Sequence, residues 1–279
     1  MVFRKTEAIC LFRTDYSETS QIVTFYTADC GKVTALSRGN KRPKHHQLEP
    51  VDLLTHSEIV FIDKTPKGLH LLTEYTVKNE FPRLRNRLER LYQGLYLAEF
   101  LNELTPPGDP NQALFNLALG TINKIQDAPD NKSGSIWEAI FYFEANSLKQ
   151  LGFMPRMIPG SLGKEFQCEL CSNQIGEKKT LKFSSRYGGI LCDDCGRAHE
   201  TIGVTPGVLK TVLWYAGIDR DTADNCRNLN NLKVSRTMLS GMREFLNYYI
   251  ASIIGKKLRL TKWLNSSAAC EVAADYTWQ

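Results

Sequence analysis

The chain has 279 residues, 42% hydrophobic and 23% charged, with a formal net charge of +5. This is the make-up of a folded globular protein with room for two or three domains, and it excludes a disordered chain. No apolar run exceeds five residues and the start "MVFRKTEAICLFR" lacks the apolar core of a secretory signal, so the expected location is the cytoplasm, with the eight cysteines mostly reduced.

The first eighty residues read as β. "EAICLFRT", "TSQIVTFYT", "GKVTALSRG", "VDLLTHSEIVFI" and "LHLLTEYTV" are short, rich in β-branched and aromatic residues, and partly alternating. Turn-forming "DYSE", "DCG" and "KTPKG" fall between them. Five short strands in this length fit an oligonucleotide-binding (OB) barrel, and a small sandwich fits the same pattern.

From Phe81 the period becomes helical. "LRNRLERLYQGLYLAEFLNEL" predicts one helix with Leu84, Leu88, Leu91, Leu95, Ala98 and Leu101 on its buried face. "TPPGDPN" (105–111) ends it and opens a second, carrying Leu114, Leu117, Ala118, Ile122 and Ile125. A third is expected from an N-cap at Ser135, through Ile136, Ile140, Phe141, Glu144 and Leu148, to Gly152. The cleanest stripe is Met238, Leu239, Met242, Phe245, Leu246, Tyr249, Ile250, Ile253 and Ile254, with Ser235 as its cap.

Between helices lie "CELC" (168–171) and "CDDC" (192–195), twenty residues apart, with "TLKFSSRYGGIL" between them reading as a hairpin. Two thiolates three positions apart can face one tetrahedral centre, and a second pair on a returning hairpin closes a four-sulfur shell. Cys168, Cys171, Cys192 and Cys195 are therefore the expected ligands of one structural Zn²⁺. His199 is a possible substitute that four sulfurs do not require. Cys10, Cys30, Cys226 and Cys270 read as small hydrophobes.

Charge is unevenly placed. Residues 1–81 carry 11 basic and 10 acidic groups, yet "RGNKRPKHH" (38–46) gathers four cations and two histidines with no carboxylate. Residues 161–265 carry 16 basic against 10 acidic groups. A solvated loop would explain 38–46 as well as a phosphate path through Arg38, Lys41, Arg42 and Lys44. Lys5 and Arg13 could extend such a path, and Phe25, Tyr26 and Phe61 could stack bases, although alternation leaves at least one of Phe25 and Tyr26 in the core. A second basic region comprises Lys178, Lys179, Lys182 and Arg186 with Lys256, Lys257, Arg259 and Lys262, for which helix-end complementarity is the plainer reading at 256–262.

Several segments carry a resemblance. "FRTDYSETSQIVTFYTADCGKVTALSRGNKRPKHHQLEPVDLL", "GLHLLTE", "LERLYQGLYLAEFLNELTPPGDPN", "LKQLGFMP", the cysteine quartet with "FSSRYGGILC", and "YYIASIIGKKLRLTKWL" resemble, in order, the bacterial RecO family. The resemblance implies an α+β multidomain protein. An N-terminal five-stranded OB-type β-barrel (1–80) would precede a helical domain (81–160). A four-cysteine zinc module (161–203) is then inserted before a C-terminal helical part packing on that domain (204–265), and a tail (266–279) follows. It further implies a recombination mediator in DNA repair, at the nucleoid, that binds single- and double-stranded DNA and anneals complementary strands. With RecR it would help load RecA onto DNA coated by single-strand-binding protein, whose C-terminal tail is a further partner. Two departures stand out. Where relatives commonly have "GARRPKS" this chain has "RGNKRPKHH", and "SSAACEVAADYTWQ" has no placed counterpart. Since some relatives lack the cysteines, the resemblance makes the metal scaffolding.

No nucleotide loop, nucleophile elbow or metalloprotease helix signature occurs in the sequence. The leading expectation is thus a binding protein without a catalytic residue. A zinc-ribbon nucleic-acid-processing enzyme and a protein-docking adaptor with weak intrinsic DNA binding are the alternatives.

Overall fold

The computed structural model describes residues 2–40, 49–63, 69–129, 133–156, 166–217 and 235–264. It divides into two compact units, one reaching from the N-terminus to Ile140 and taking in 258–264, the other running from Phe141 to Lys257.

The first unit is built on strands β1 (Val2–Ser17), β2 (Ser20–Thr27), β3 (Gly31–Ser37), β4 (His56–Asp63) and β5 (His70–Asn79). They pair in the order β1-β2-β3-β5-β4 and return to β1, closing a five-stranded barrel of the expected OB type. Closure depends on β1, which pairs β4 through Val2–Ile9 and β2 through Ala8–Ser17. β3 and β5 complete the ring as its parallel pair. Inward residues Ala8, Cys10, Val23, Phe25, Val33, Ala35, Ile59, Phe61 and Leu72 fill the barrel with Val51. β1 is longer than "EAICLFRT" suggests, because exposed Val2–Lys5 carry no apolar alternation. β4 starts at His56 and not at Val51, since Leu54 turns at φ 59° and its N–H donates to the Cys10 carbonyl at 2.9 Å.

Helices α1 (Pro82–Arg85), α2 (Leu88–Leu104) and α3 (Gln112–Asp127) follow. The single helix expected over 84–104 is thus broken at 86–87. Leu88 is 63% exposed, whereas Arg90, Gln93, Tyr96, Leu97, Phe100 and Leu101 are buried. Asn111 caps α3, its side chain accepting from the Leu114 N–H at 2.9 Å. The loop before it is anchored to the barrel, where Gly108 N–H donates to the Lys32 carbonyl and Lys32 Nζ to the Asn102 carbonyl.

Helix α4 (Ser133–Gln150) carries the unit boundary. It begins two residues before Ser135, so that serine is not its cap. At its end Gly152 takes φ 76° and the Phe153 N–H returns to the Leu148 carbonyl. The second unit continues with the two-residue strands β6 (Phe166–Gln167) and β7 (Gln174–Ile175), then β8 (Leu181–Ser184), β9 (Gly189–Leu191), α5 (Cys195–Ala198) and β10 (Ile202–Val204). Helices α6 (Pro206–Tyr215) and α7 (Arg236–Ile254) complete it. Ser235 caps α7 as expected, accepting from Met238 N–H at 3.2 Å. Glu144, on the expected apolar stripe of α4, is fully buried and meets Arg243 of α7 at 2.7 Å. Arg243 also lies over the Phe141 ring.

Two glycines separate backbone strain from steric contact. Gly31 (φ 66°) would drive a Cβ into the Asp109 carbonyl, while Gly108 (φ 71°) faces open space. Gly108→Ala is expected to cost about 1 kcal/mol for the left-handed conformation alone. Gly31→Ala should cost about 3 kcal/mol, since the loop must also move, as measured by equilibrium unfolding. Glu7 offers a test in pH. Hydrogen bonds from Lys78 and from His56 hold its carboxyl below the usual range. Its contribution is complete above the ordinary carboxylate range and is lost as pH falls through the lowered value. Unfolding titrations of Glu7→Gln should therefore show a flatter loss of stability between about pH 5 and 3.

Candidate nucleic-acid interface and metal centre

The expected phosphate path begins at the end of β3. Ser37 is buried and pairs with inward Gln21, so alternation turns Arg38 outward, where it is exposed with no acidic partner among the described residues. The chain is then held on both sides of the departing segment. Gly39 N–H donates to Ser20 Oγ at 3.4 Å, buried Asn40 donates to Gln21 Oε1 at 2.5 Å, and the same oxygen accepts from Val51 N–H at 3.1 Å. Gln21 thus ties both ends of the connection to one strand. Lys41, Arg42 and Lys44 lie outside the described residues.

The other candidates are engaged elsewhere. Lys5 pairs with Glu58 at 2.7 Å and Arg13 with Asp52 at 3.2 Å. Both retain exposure, but each cation sits beside a carboxylate that cancels much of its field. Phe25, Tyr26 and Phe61 are all buried, so none presents a ring to a base, which corrects that expectation. Phe25 and Phe61 belong to the barrel interior, and Tyr26 is outward by alternation yet 1% exposed. The exposed barrel aromatics are Phe3, Phe12 and Tyr16, all on β1. Only the outward register of a bulged strand reveals them, and the sequence carries no signal for it.

In the second unit, Cys168 and Cys171 lie in the turn between β6 and β7, Cys192 follows β9, and Cys195 opens α5. The turn is shaped by Ser172 at φ 60°, whose N–H donates to the Cys168 carbonyl, while Cys168 N–H donates to that of Asn173. The hairpin β8–β9 brings the second pair back, with Glu169 N–H bonded to the Ile190 carbonyl at 2.9 Å. All four sulfurs lie within 4.8 Å of one another, and Cys171 Sγ is 3.7 Å from Cys192 Sγ. A tetrahedron with metal–sulfur bonds of about 2.3 Å has edges of about 3.8 Å, so the donors fit a metal ion. Burial opposes ionisation of Cys168, but backbone hydrogen bonds from Cys171, Cys192 and Leu170 outweigh it and lower the thiol to about 6. Hydrogen bonding to Cys192, with desolvation next, pushes Cys195 up to about 12. Cys168 thus ionises readily while Cys195 is held protonated, a conflict that a central cation removes.

His199 stands apart from the cluster and bonds Tyr187 Oη at 3.3 Å. Cys10 is buried in the barrel and Cys30 partly so, while Cys226 and Cys270 lie outside the described residues. The second basic region is largely tethered. Lys178 and Lys182 share Asp193, Arg186 lies over Tyr187, and Lys262 over Trp263. Around 256–262 the backbone N–H groups of Arg259 and Leu260 are bound by the Glu99 carboxylate at 2.8 and 2.9 Å.

Comparison with known proteins covers both units. Residues 1–81 match the family description "Recombination protein O N terminal" and residues 85–262 match "Recombination protein O C terminal". A DNA repair protein RecO of Rhodopirellula baltica is 33% identical over 189 residues, 67% of this chain and 65%, just under two thirds, of its own length. One of Syntrophus aciditrophicus is 26% identical over 269 residues, covering 94% of this chain and 95% of its own. One of Desulforamulus reducens is 27% identical over 269 residues, covering 95% of each. No described helix is long and apolar enough to cross a membrane. With an N-terminal barrel and a C-terminal helical part each matched by its own half of the family, the chain belongs to the recombination protein O (RecO) family of DNA repair proteins.

Proposed function

We propose that this chain is a DNA-binding recombination mediator that grips single- and double-stranded DNA at the barrel and anneals complementary strands. The observation that carries this reading is the outward, exposed Arg38 at the root of a connection whose next cations are Lys41, Arg42 and Lys44. Annealing needs no catalytic residue. Two polyanions held on one cationic surface repel each other less and meet more often, and base pairing supplies the free energy. Arg13 and, farther away near the start of β1, Lys5 would extend the path in a secondary role, because each is already neighboured by a carboxylate. In the cell the protein would act in the cytoplasm at the nucleoid. Together with RecR it would help RecA onto strands covered by single-strand-binding protein, whose C-terminal tail it would also contact.

The ion of the cysteine quartet is, in this reading, a single Zn²⁺. A four-sulfur zinc site has no open position, so it supplies folding free energy to its module and no reaction chemistry. Asp193, placed between two of the ligands and held by Lys178, is thereby a tether of the β8 side of the module and not a cleavage residue. Elemental analysis of the purified, untagged chain should give about one zinc, and Cys171→Ser well under one. Acidification should release the metal, because thiolates are its ligands, with loss of secondary structure confined to the module.

For the barrel, anisotropy titrations at several salt concentrations compare the parent with the triple variant Arg38→Ala, Lys41→Ala, Arg42→Ala. The variant should bind more weakly, and its log–log salt slope should flatten by about 0.7 per lost phosphate contact on single strands and about 0.9 on duplex. Equal affinity and slope would remove this loop from the interface. Cleavage of labelled DNA in the presence of magnesium would favour the enzyme reading instead.

A further inference from the structure

We infer that Phe12 and Tyr16, on the outer face of β1, form a base-stacking platform that makes the barrel prefer unpaired nucleic acid over duplex. The inference rests on the DNA-binding reading above and adds to it a contact that cations cannot make. Phe12 pairs with Thr24, which pairs with Thr34, and the two threonine hydroxyls meet at 3.2 Å. The intervening inward residues Val23, Phe25, Val33 and Ala35 are core, so this row lies on the outside. Thr14, Ile22 and Leu36 form the next outward row by the same pairing. Alternation carries the face from Phe12 to Thr14; Tyr16 sits in the irregularity between Asp15 and Ser17, and its exposure places it at the end of this stretch. Phe12 is 51% exposed and Tyr16 63%, on a strand stretch whose six last residues are all exposed.

Arg38 belongs to the same face. It follows Ser37 on β3, beside the first residue of β2, which itself pairs with Ser17 of β1. Two strand spacings, about 10 Å, thus separate the aromatic strand from the exposed guanidinium. The outer face of the second and third strands, with the first connecting hairpin, is the surface that barrels of this type turn to oligonucleotides. Here that face combines two accessible rings on β1 with an outward cation, while Thr24 beneath Phe12 is buried. A ring stacks on any base whatever its sequence, but only where the base face is open, and a duplex hides it. Phe3 is an internal comparison. It is 65% exposed on the same strand, but it lies at the far end, opposite Ile62 and beside the Arg4–Asp63 and Lys5–Glu58 pairs.

The test uses the full chain and three labelled probes of equal length: a thymidine oligomer, its abasic counterpart and a duplex. Phe12→Ala with Tyr16→Ala should weaken binding to the thymidine oligomer at least about fivefold per ring. Affinity for the abasic and duplex probes, and the salt slope on all three, should stay at the parent's values. Phe12→Trp with Tyr16→Phe should restore binding, and Phe3→Ala should change nothing. Equal losses on all probes, or no loss on the thymidine oligomer while the parent binds it, would overturn the platform. A parent that binds none of the probes would instead overturn the DNA-binding reading, and the platform with it.

Discussion

A five-stranded sheet left open would carry two rows of unpaired backbone groups, and this one avoids that by asking one strand to serve twice. β1 gives its first half to β4 and its second half to β2, and the handover falls where the irregularity between Cys10 and Phe12 leaves Leu11 unpaired. The groups freed there are not lost. Cys10 N–H donates to the Thr55 carbonyl and its own carbonyl accepts from Leu54 N–H, which is why Val51–Thr55 is drawn into a turn. The length of β1 follows from this division of labour. So does the exposure of Phe12–Ser17, which lie past the end of the β4 pairing and near the point where the chain leaves β3 at Arg38. Anchoring at the other side is done by backbone contact, with Lys32 bridged to 107–108 and Gly31 leaving no room for a side chain against Asp109.

The second unit solves the opposite problem. Its strands are two to four residues long, too short to hold a sheet by ladder bonds alone. Two devices compensate. The cysteine quartet draws the β6–β7 turn and the β9–α5 junction to one point, and Phe183 on β8 inserts edge-on against Phe245 and Tyr249 of α7, at 4.9 and 5.3 Å between ring centres. The Glu144–Arg243 pair then joins α4 to α7 in a setting where neither charge reaches water freely. Removing one partner would strand the other, so the pair specifies how these helices meet more than it adds net stability.

Much of this was legible, and the losses have physical causes. The five strands, the clustering of the four cysteines, their hairpin and the Ser235 cap rest on short-range rules of alternation, spacing and hydrogen-bond chemistry, and those rules held. Leu88 failed because Phe81, at φ 49° before Pro82, starts a separate short helix and resets the phase of the next one. Ser135 failed because the helix already runs from Ser133, which puts Ser135 inside its first turn. Tyr26 was misjudged for another reason. Alternation decides the direction of a side chain, and whether other elements then cover it is settled by residues far away in sequence. The same limit hid Phe12 and Tyr16, which look like any strand aromatics until the coverage of each face is known.

Net charge says little about where such a surface would bind a polyanion, and the distribution of ion pairs says more. Around β1, β4 and the turn before it, Arg4, Lys5, Lys78, Arg13 and Arg85 each meet a carboxylate, with Asp52 serving two arginines. A phosphate approaching those positions must compete with a carboxylate already in place, so little counterion release is gained. Arg38 meets no such competitor among the described residues, and the three cations that follow it within six positions have no acidic residue interspersed. Field strength at a surface falls off within about 10 Å at moderate salt, so a local excess of this kind outweighs a distant balance. Pairing elsewhere among the described barrel residues therefore makes Arg38 stand out as a cation beside no carboxylate. If both proposals hold, the two kinds of contact would differ in their response to salt, the cationic one fading as salt rises and the ring stacking not.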